Sequence, residues 1–234
     1  MTPPVPPEGE AVPEVVVPEV PALASAVFGE ATEAVARYVA MLAGDGVVRG
    51  LIGPREVPRL WDRHVLNSAA LAEAVPQGAR VVDVGSGAGL PGIPLGLARP
   101  DLTLTMVEPM ARRVEFLQDV VEALEAPWRI VRGRAEERSV VRAVGPVDVV
   151  TARAVAPLPR LVGWCRGLLA PGAQLIALVG AKAAAEVPSL VPELEAAGMR
   201  DVHTRAVGVE LGAAATTVVV MTRGGTPRPA RSAG

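Results

Sequence analysis

From Gly78 onward the chain alternates short β-branched runs with helix-length amphipathic segments: ARVVDVG, LTLTMVE, WRIVRG, VDVVTAR and AQLIALVG. Strands spaced in this way need crossover helices, which gives a parallel sheet covered on both faces. Half of the residues are apolar and only 3% are aromatic, so the core between those layers is aliphatic. After the last crossover segment, VPSLVPELEAAG, come DVHTRAVGVE and TTVVVMTR, separated by a short turn. The pair reads as a hairpin that puts an antiparallel strand at the end of an otherwise parallel sheet. The expected fold is α/β, with seven strands in a mostly parallel, Rossmann-like sheet.

Ahead of the sheet, apolar residues recur at helical spacing through Val27, Ala31, Ala34, Val35, Tyr38, Val39 and Leu42. GDG at 44–46 and IGP at 52–54 are expected to break that pattern. A second helix is expected through VPRLWDRHVLNSAALAEAV, with Pro58 near its first turn, where a missing N–H costs little. These helices form a small cap over residues 23–77, ahead of a catalytic domain over 78–223. The flank 1–22 alternates proline, glutamate and valine, 224–234 is rich in glycine, proline and arginine, and both are expected to be disordered. Glu8, Glu10, Glu14 and Glu19 give the first flank −4, and Arg223, Arg228 and Arg231 give the other end +3. From a total of −2 the middle is close to −1, so net charge alone does not point to nucleic acid. Lys182 is the sole lysine and Cys165 the sole cysteine, which leaves no disulfide or cysteine-built metal site. No apolar run reaches the roughly 18–20 residues of a membrane span, and the first residues lack the basic-then-apolar order expected of a secretion signal. A cytoplasmic monomer is expected.

The first strand runs directly into Gly85-Ser86-Gly87-Ala88-Gly89. Glycine permits positive φ and lets a ligand touch the main chain, and parallel sheets bind ligands beyond their strand carboxyl ends. A helix is expected from about Leu90, with Pro91 in its first turn. A dinucleotide site has G-x-G-x-x-G, with pyrophosphate on the helix N-terminus. Here the order is D-x-G-x-G-x-G with Asp83 leading, the loop of class I methyltransferases that bind S-adenosylmethionine. Glu108, about twenty residues on at the end of the second strand, can accept both ribose hydroxyls. After the third strand comes RGRAEERS, the loop that in this fold usually holds the adenine ring, here with Ala135 and Glu136, while Arg138 and Arg142 read as a solvated face. After the fourth, VDVVTARAVAPL puts Arg153 at the mouth of the site.

Methyl transfer depends mostly on aligning an acceptor with the methyl carbon. The chain lacks an Asn/Asp-Pro-Pro-aromatic clamp for exocyclic amines, a nucleophilic cysteine and a His/Asp cluster for metal. Cys165, within LVGWCRGLL, reads as inert core. An acceptor with a free lone pair, such as guanine N7, fits, and arginine is well shaped to meet O6 and a phosphate. His203 is expected to face solvent from an edge strand, and Trp61 to be core of the cap. His64, beside Arg63 on the cap helix, could overhang the site.

These residues resemble the bacterial small-subunit rRNA guanine-N7 methyltransferases, the RsmG/GidB family, from about Phe28 to Arg223. The resemblance rests on RHVLNS (63–68), VDVGSGAGLPGIPL (82–95), VEPMARRVEFL (107–117), GRAEE (133–137) and TARAVAPL (151–158). It implies methyl transfer from S-adenosylmethionine to N7 of a guanine in the 530 loop of 16S rRNA, with the rRNA or small subunit as partner and no metal. The implied cofactor residues are Gly85, Leu90, Ala135, Glu136 and Arg153, to which the fold adds Gly87, Gly89 and Glu108. Arg153, Arg63 and His64 are the candidate catalytic groups. Gly50-Leu51-Ile52 stands where the family has Asn-Leu-Thr, Asn67 where it has Asp, and Val179 where it has Lys, with Lys182 three residues on. The alternatives are a methyltransferase of this fold acting on another RNA or a small molecule, and a non-catalytic RNA-binding factor.

Overall fold

A computed structural model of the chain describes residues 16–153 and 156–225. Most of the two flanks expected to be disordered, residues 1–15 and 226–234, therefore lies outside the described residues. The seven strands are β1 (Arg80–Val84), β2 (Thr103–Glu108), β3 (Arg129–Arg132), β4 (Val147–Arg153), β5 (Leu169–Val179), β6 (Met199–Val207) and β7 (Thr216–Arg223). They form one sheet in the order β3-β2-β1-β4-β5-β7-β6. Pairings from β3 through to β5 are parallel, and β7 runs antiparallel to both β5 and β6. The antiparallel strand is thus one place in from the edge: the hairpin folds its second arm back against β5 and leaves β6 outermost. Strand order reverses between β1 and β4, so their carboxyl ends open the crevice.

Strand residues alternate between two apolar clusters. Val149, Ile176, Val218 and Val220 face one side, which also takes residues of the N-terminal helices and Ile93 and Phe116. Val150, Leu175, Ala177, Val219 and Met221 face the other, against Leu161, Val162 and Leu194. The helices that deliver these side chains are α1 (Ala22–Phe28), α2 (Thr32–Met41), α3 (Asn67–Ala69), α4 (Gly92–Ala98), α5 (Ala111–Ala123), α6 (Arg138–Val144), α7 (Leu158–Cys165) and α8 (Ala181–Ala196). No helix among the described residues is long and apolar enough to cross a membrane.

Two local expectations change. GDG does not end the first helical pattern: α2 widens into a π-type turn over Leu42–Gly46, and helical residues continue to Val48. Glycine costs about 1 kcal/mol in a helix, and burial of Leu42, Ala43 and Gly46 here outweighs that. The second cap helix is one run with changing pitch, tight over Pro54–Arg59, wide over Leu60–Leu66, then α3, then tight over Ala70–Glu73. Trp61 is buried in it, and its indole N–H donates to the Pro18 carbonyl at 3.4 Å.

Candidate active site

The strand β1 feeds a loop in which Gly85, Gly87 and Gly89 take φ of 69°, 58° and 95°. Only glycine enters that region without strain. Gly85 and Ser86 both donate their N–H to the Val107 carbonyl, at 2.8 and 3.4 Å, which ties the loop to β2. Glu108, the last residue of β2, is fully buried, and it accepts from Gly87 N–H through Oε2 at 2.9 Å and from Met110 N–H through Oε1 at 3.0 Å. Arg113 stands 3.7 Å from the same Oε2. A carboxylate has about four lone-pair positions, so both oxygens keep capacity toward a ligand. The glycine turn and the acidic hook, read separately in the sequence, are one hydrogen-bonded unit.

Asp83 supports the loop from beneath. It is fully buried, and its carboxylate accepts from Gly92 N–H at 3.2 Å and from the Thr151 hydroxyl at 3.1 Å. Burial pushes its carboxyl up to about 6. A Cβ on Gly92 would lie 2.9 Å from Asp83 Oδ2, so this contact requires glycine. The helix starts at Gly92, two residues later than expected, because Gly89 and Leu90 both donate to the Ser86 carbonyl and prolong the turn. Its first N–H faces a buried carboxylate. A pyrophosphate would meet that carboxylate where a dinucleotide site offers bare donors.

Above the loop lies a cavity of about 560 Å³, within the range of small-molecule sites. Of the expected cofactor residues, Gly85, Gly87, Leu90, Glu108, Ala135, Glu136 and Arg153 line it. Gly89 sits behind the wall instead, where a Cβ would come within 2.2 Å of Ile93 Cδ1 and 3.2 Å of the Tyr38 hydroxyl. The cap contributes Leu51, Ile52 and His64, and α7 contributes Trp164. Arg63 points outward with its side chain 57% exposed, paired with Glu56 at 3.4 Å. The pocket therefore offers one buried carboxylate, exposed main chain, apolar wall residues, the exposed Glu136 and the arginines Arg113, Arg134 and Arg153. Glu108 facing the cavity suits ribose hydroxyls, and the Asp83 carboxylate on the Gly92 N–H takes the donor that a pyrophosphate would need.

Arg153, at the end of β4, is held by the cap. Its Nη2 donates to the Arg63 carbonyl at 2.9 Å and to His64 Nδ1 at 3.2 Å, and its Nη1 to the Ser68 hydroxyl at 3.1 Å and the His64 carbonyl at 3.4 Å. Burial lowers its pKa, yet a guanidinium stays protonated in proteins. Since Arg153 can only donate, His64 Nδ1 must be the acceptor and the ring proton is on Nε2, which donates to Glu56 at 2.9 Å. Burial holds the His64 pKa below its usual value. His64 is thus a neutral, fully engaged imidazole.

Several participants carried no local signal. Tyr38 had only helical periodicity, yet its buried hydroxyl donates to the Ala88 carbonyl of the loop at 2.8 Å. Glu56 and Ser68 lie on the cap, far in sequence from Arg153, and Trp164 showed only as a neighbour of Cys165. Asn67, the departure from Asp, donates its amide to the Ala214 carbonyl at 3.2 Å, which a carboxylate could not do. Cys165 is buried, with its thiol pushed up to about 12 by burial, and His203 is exposed on β6. Lys182 is exposed in the first turn of α8. No cluster of potential metal ligands occurs among the described residues.

Comparison with known proteins is consistent with this geometry. The family described as rRNA small subunit methyltransferase G (GidB) matches residues 31–211. A protein named ribosomal RNA small subunit methyltransferase G, from Mycobacterium sp. (strain KMS), is 51% identical over 216 residues, covering 91% of this chain and 96% of that protein. A second of that name, from Salinispora arenicola (strain CNS-205), is 52% identical over 223 residues, covering 91% of each. Among solved structures, a SAM-dependent methyltransferase from Aquifex aeolicus matches with a TM-score of 0.51 at 16% identity, over 70% of this chain and 93% of that one. Precorrin-6y C5,15-methyltransferase from Geobacter metallireducens GS-15 matches at 0.50 and 16%, over 74% and 91%. At such identity these structures speak to the fold alone, and the fold is that of class I methyltransferases.

Proposed function

The chain belongs to the rRNA small subunit methyltransferase G family, and from that premise we propose that it methylates N7 of a guanine in the 530 loop of 16S rRNA. The methyl donor is S-adenosylmethionine, which when bound supplies an electrophilic methyl carbon on a sulfonium. In this reading Glu108 takes the ribose hydroxyls, the Gly85–Gly87 main chain passes the amino-acid end, and Ala135 and Glu136 border the adenine. Residues 78–223 form the catalytic unit, and the cap over 23–77 supplies its roof.

The observation that carries the choice of acceptor is that His64, the one imidazole on the cavity wall, has no free lone pair: Arg153 occupies Nδ1 and the proton sits on Nε2. Tyr38 is likewise committed, to the Ala88 carbonyl. An acceptor that must first lose a proton finds neither this imidazole nor this phenol free to serve as its base. Guanine N7 has its lone pair free and needs none, so alignment suffices. Arg153, with its Nη hydrogens taken by the cap, contributes a fixed positive charge beside the reacting region, which acts on guanine O6 or a neighbouring phosphate through its field.

The test is to incubate the purified protein and labelled S-adenosylmethionine with small ribosomal subunits and with naked 16S rRNA. Borohydride reduction and aniline scission then locate N7-methylguanine. Label confined to one guanine of the 530 loop is expected. Label at another position or on another atom, or none in any rRNA substrate, would overturn the reading.

A further inference from the structure

Arg153 reaches the cavity wall from β4, but every partner that fixes it belongs to the cap. The guanidinium meets two main-chain carbonyls, a buried serine hydroxyl and one ring nitrogen. Carbonyls and a hydroxyl accept at any pH, whereas a ring nitrogen accepts only while unprotonated. The opposite nitrogen of that ring is fixed by Glu56, at 2.9 Å, so the tautomer that can receive Arg153 is the one Glu56 selects. The His64 side chain is only 13% exposed, which leaves the ring little freedom to turn away.

We propose that Glu56 and His64 are positioning residues: Glu56 holds the proton of His64 on Nε2, and the bare Nδ1 in turn sets the guanidinium of Arg153 at the wall of the cavity. Protonating His64 replaces the acceptor facing Arg153 with a donor and sets two cations side by side. The arrangement is therefore closed at neutral pH and opens in acid. The charged and titratable groups around it are Glu56 and Arg63 on the cap run, with Arg59 acting on Glu56, Arg153 on β4, and Tyr38 on α2 facing Arg153. Burial and the two arginines favour the neutral ring, and Glu56 alone opposes them. Removing the Glu56 charge while keeping its acceptor must therefore make His64 harder to protonate, so the acid transition moves to lower pH.

The consequence for methyl transfer rests on the function proposed above, but the test does not depend on it. The chain has two histidines, and His203 is exposed on the edge strand. A His203→Gln protein labelled with ¹⁵N-histidine therefore reports His64 alone. Its two-bond ¹H–¹⁵N spectrum is expected to show a proton on Nε2 and a bare Nδ1 at pH 7, with titration below 6.5, the ordinary histidine value. Glu56→Gln should preserve that tautomer and shift its titration to lower pH. Adenosylhomocysteine affinity, by calorimetry, should fall in acid for the wild type. In His64→Asn, whose Oδ1 stands where Nδ1 stood, that acid loss should shrink to the part that Asp83 beneath the loop contributes. His64→Leu should bind about tenfold more weakly at pH 7, the scale of a hydrogen bond to a charged group. A proton on Nδ1, titration at or above 6.5, a Glu56→Gln shift to higher pH, or a folded His64→Leu protein of unchanged affinity would each overturn the proposal. If His64→Leu fails to fold, the tautomer and the Glu56→Gln shift still decide it. Absence of rRNA methylation with the expected titration would refute the function and leave this inference standing.

Discussion

The Tyr38 hydroxyl donates to the Ala88 carbonyl at 2.8 Å, joining the middle of cap helix α2 to the tip of the glycine loop fifty residues later. Both partners are buried, so neither can exchange the other for water. The same hydroxyl lies 3.2 Å from where a Cβ on Gly89 would be. The cap and the cofactor loop therefore share one contact that constrains both.

Tyr38→Phe keeps the ring and orphans the Ala88 carbonyl. Loss of about 1–3 kcal/mol in unfolding free energy is expected, together with weaker adenosylhomocysteine binding. Denaturant titration and calorimetry on the same preparation check the two effects. A variant as stable as the wild type would show that the bond contributes nothing.

Glu108→Gln retains size and one carbonyl oxygen but turns an amide N–H₂ toward either Gly87 N–H or Met110 N–H, both of which donate to Glu108. One main-chain donor loses its partner, and the ribose loses a charged acceptor. Adenosylhomocysteine affinity should drop by more than about tenfold, the scale of one charge-assisted bond. Calorimetry measures it, and undiminished affinity would remove Glu108 from the site.

Three glycines separate packing from helix propensity. A Cβ at Gly92 would stand 2.9 Å from Asp83 Oδ2, and one at Gly96 2.8 Å from the Trp128 ring, whereas at Gly163 on α7 nothing lies within 4 Å. Alanine at the first two should cost about 1–3 kcal/mol by overpacking. Alanine at Gly163 should stabilise by roughly 0.5–1 kcal/mol. Chemical denaturation of the three variants tests the contrast, and a stabilising Gly92→Ala would contradict it.

Asp83 should make stability depend on pH. Burial raises its carboxyl from 3.8 to about 6, a difference worth about 3 kcal/mol. Because the folded-state value is the higher one, this contribution is fully present below 3.8 and is lost as pH rises through about 6. Relative to Asp83→Asn, the wild type should therefore gain stability as pH falls from 7 toward 4. Unfolding curves across that range decide it; a gap that narrows in acid would show the carboxyl is not raised.

Cys165 should be inert. With its thiol buried and pushed up to about 12, almost no thiolate forms at pH 8. Iodoacetamide should leave the native protein unlabelled and modify it after denaturation, as read by mass. Rapid native labelling would mean that α7 opens readily.

The alternation after Gly78, the placement of the glycine turn after β1 and the acid ending β2 were legible in the sequence because each is a local pattern with a period or spacing of its own. A parallel sheet needs β-branched runs separated by crossovers, and a turn with positive φ needs glycine. The family itself could be read from contiguous motifs. The helix carried through GDG could not, since glycine's propensity cost is local and the burial that overrides it is not. The late start of α4 came from hydrogen bonds to Ser86 that no spacing announces.

By itself, the sequence determined the alternation of strands with crossover helices, the terminal hairpin and the chemical inventory of the crevice, since those depend on residue type and separation along the chain. Tertiary structure alone decided that Glu108 and Gly87 act as one unit, that Asp83 fills the start of α4, and that Glu56, His64 and Arg153 stand in line. These hydrogen bonds join groups eight to 89 residues apart, and they follow from how the layers pack, which no pattern along one strand or helix encodes. The protonation state of His64 belongs with them, because a neighbouring guanidinium and carboxylate settle it, and the chain brings them together only on folding.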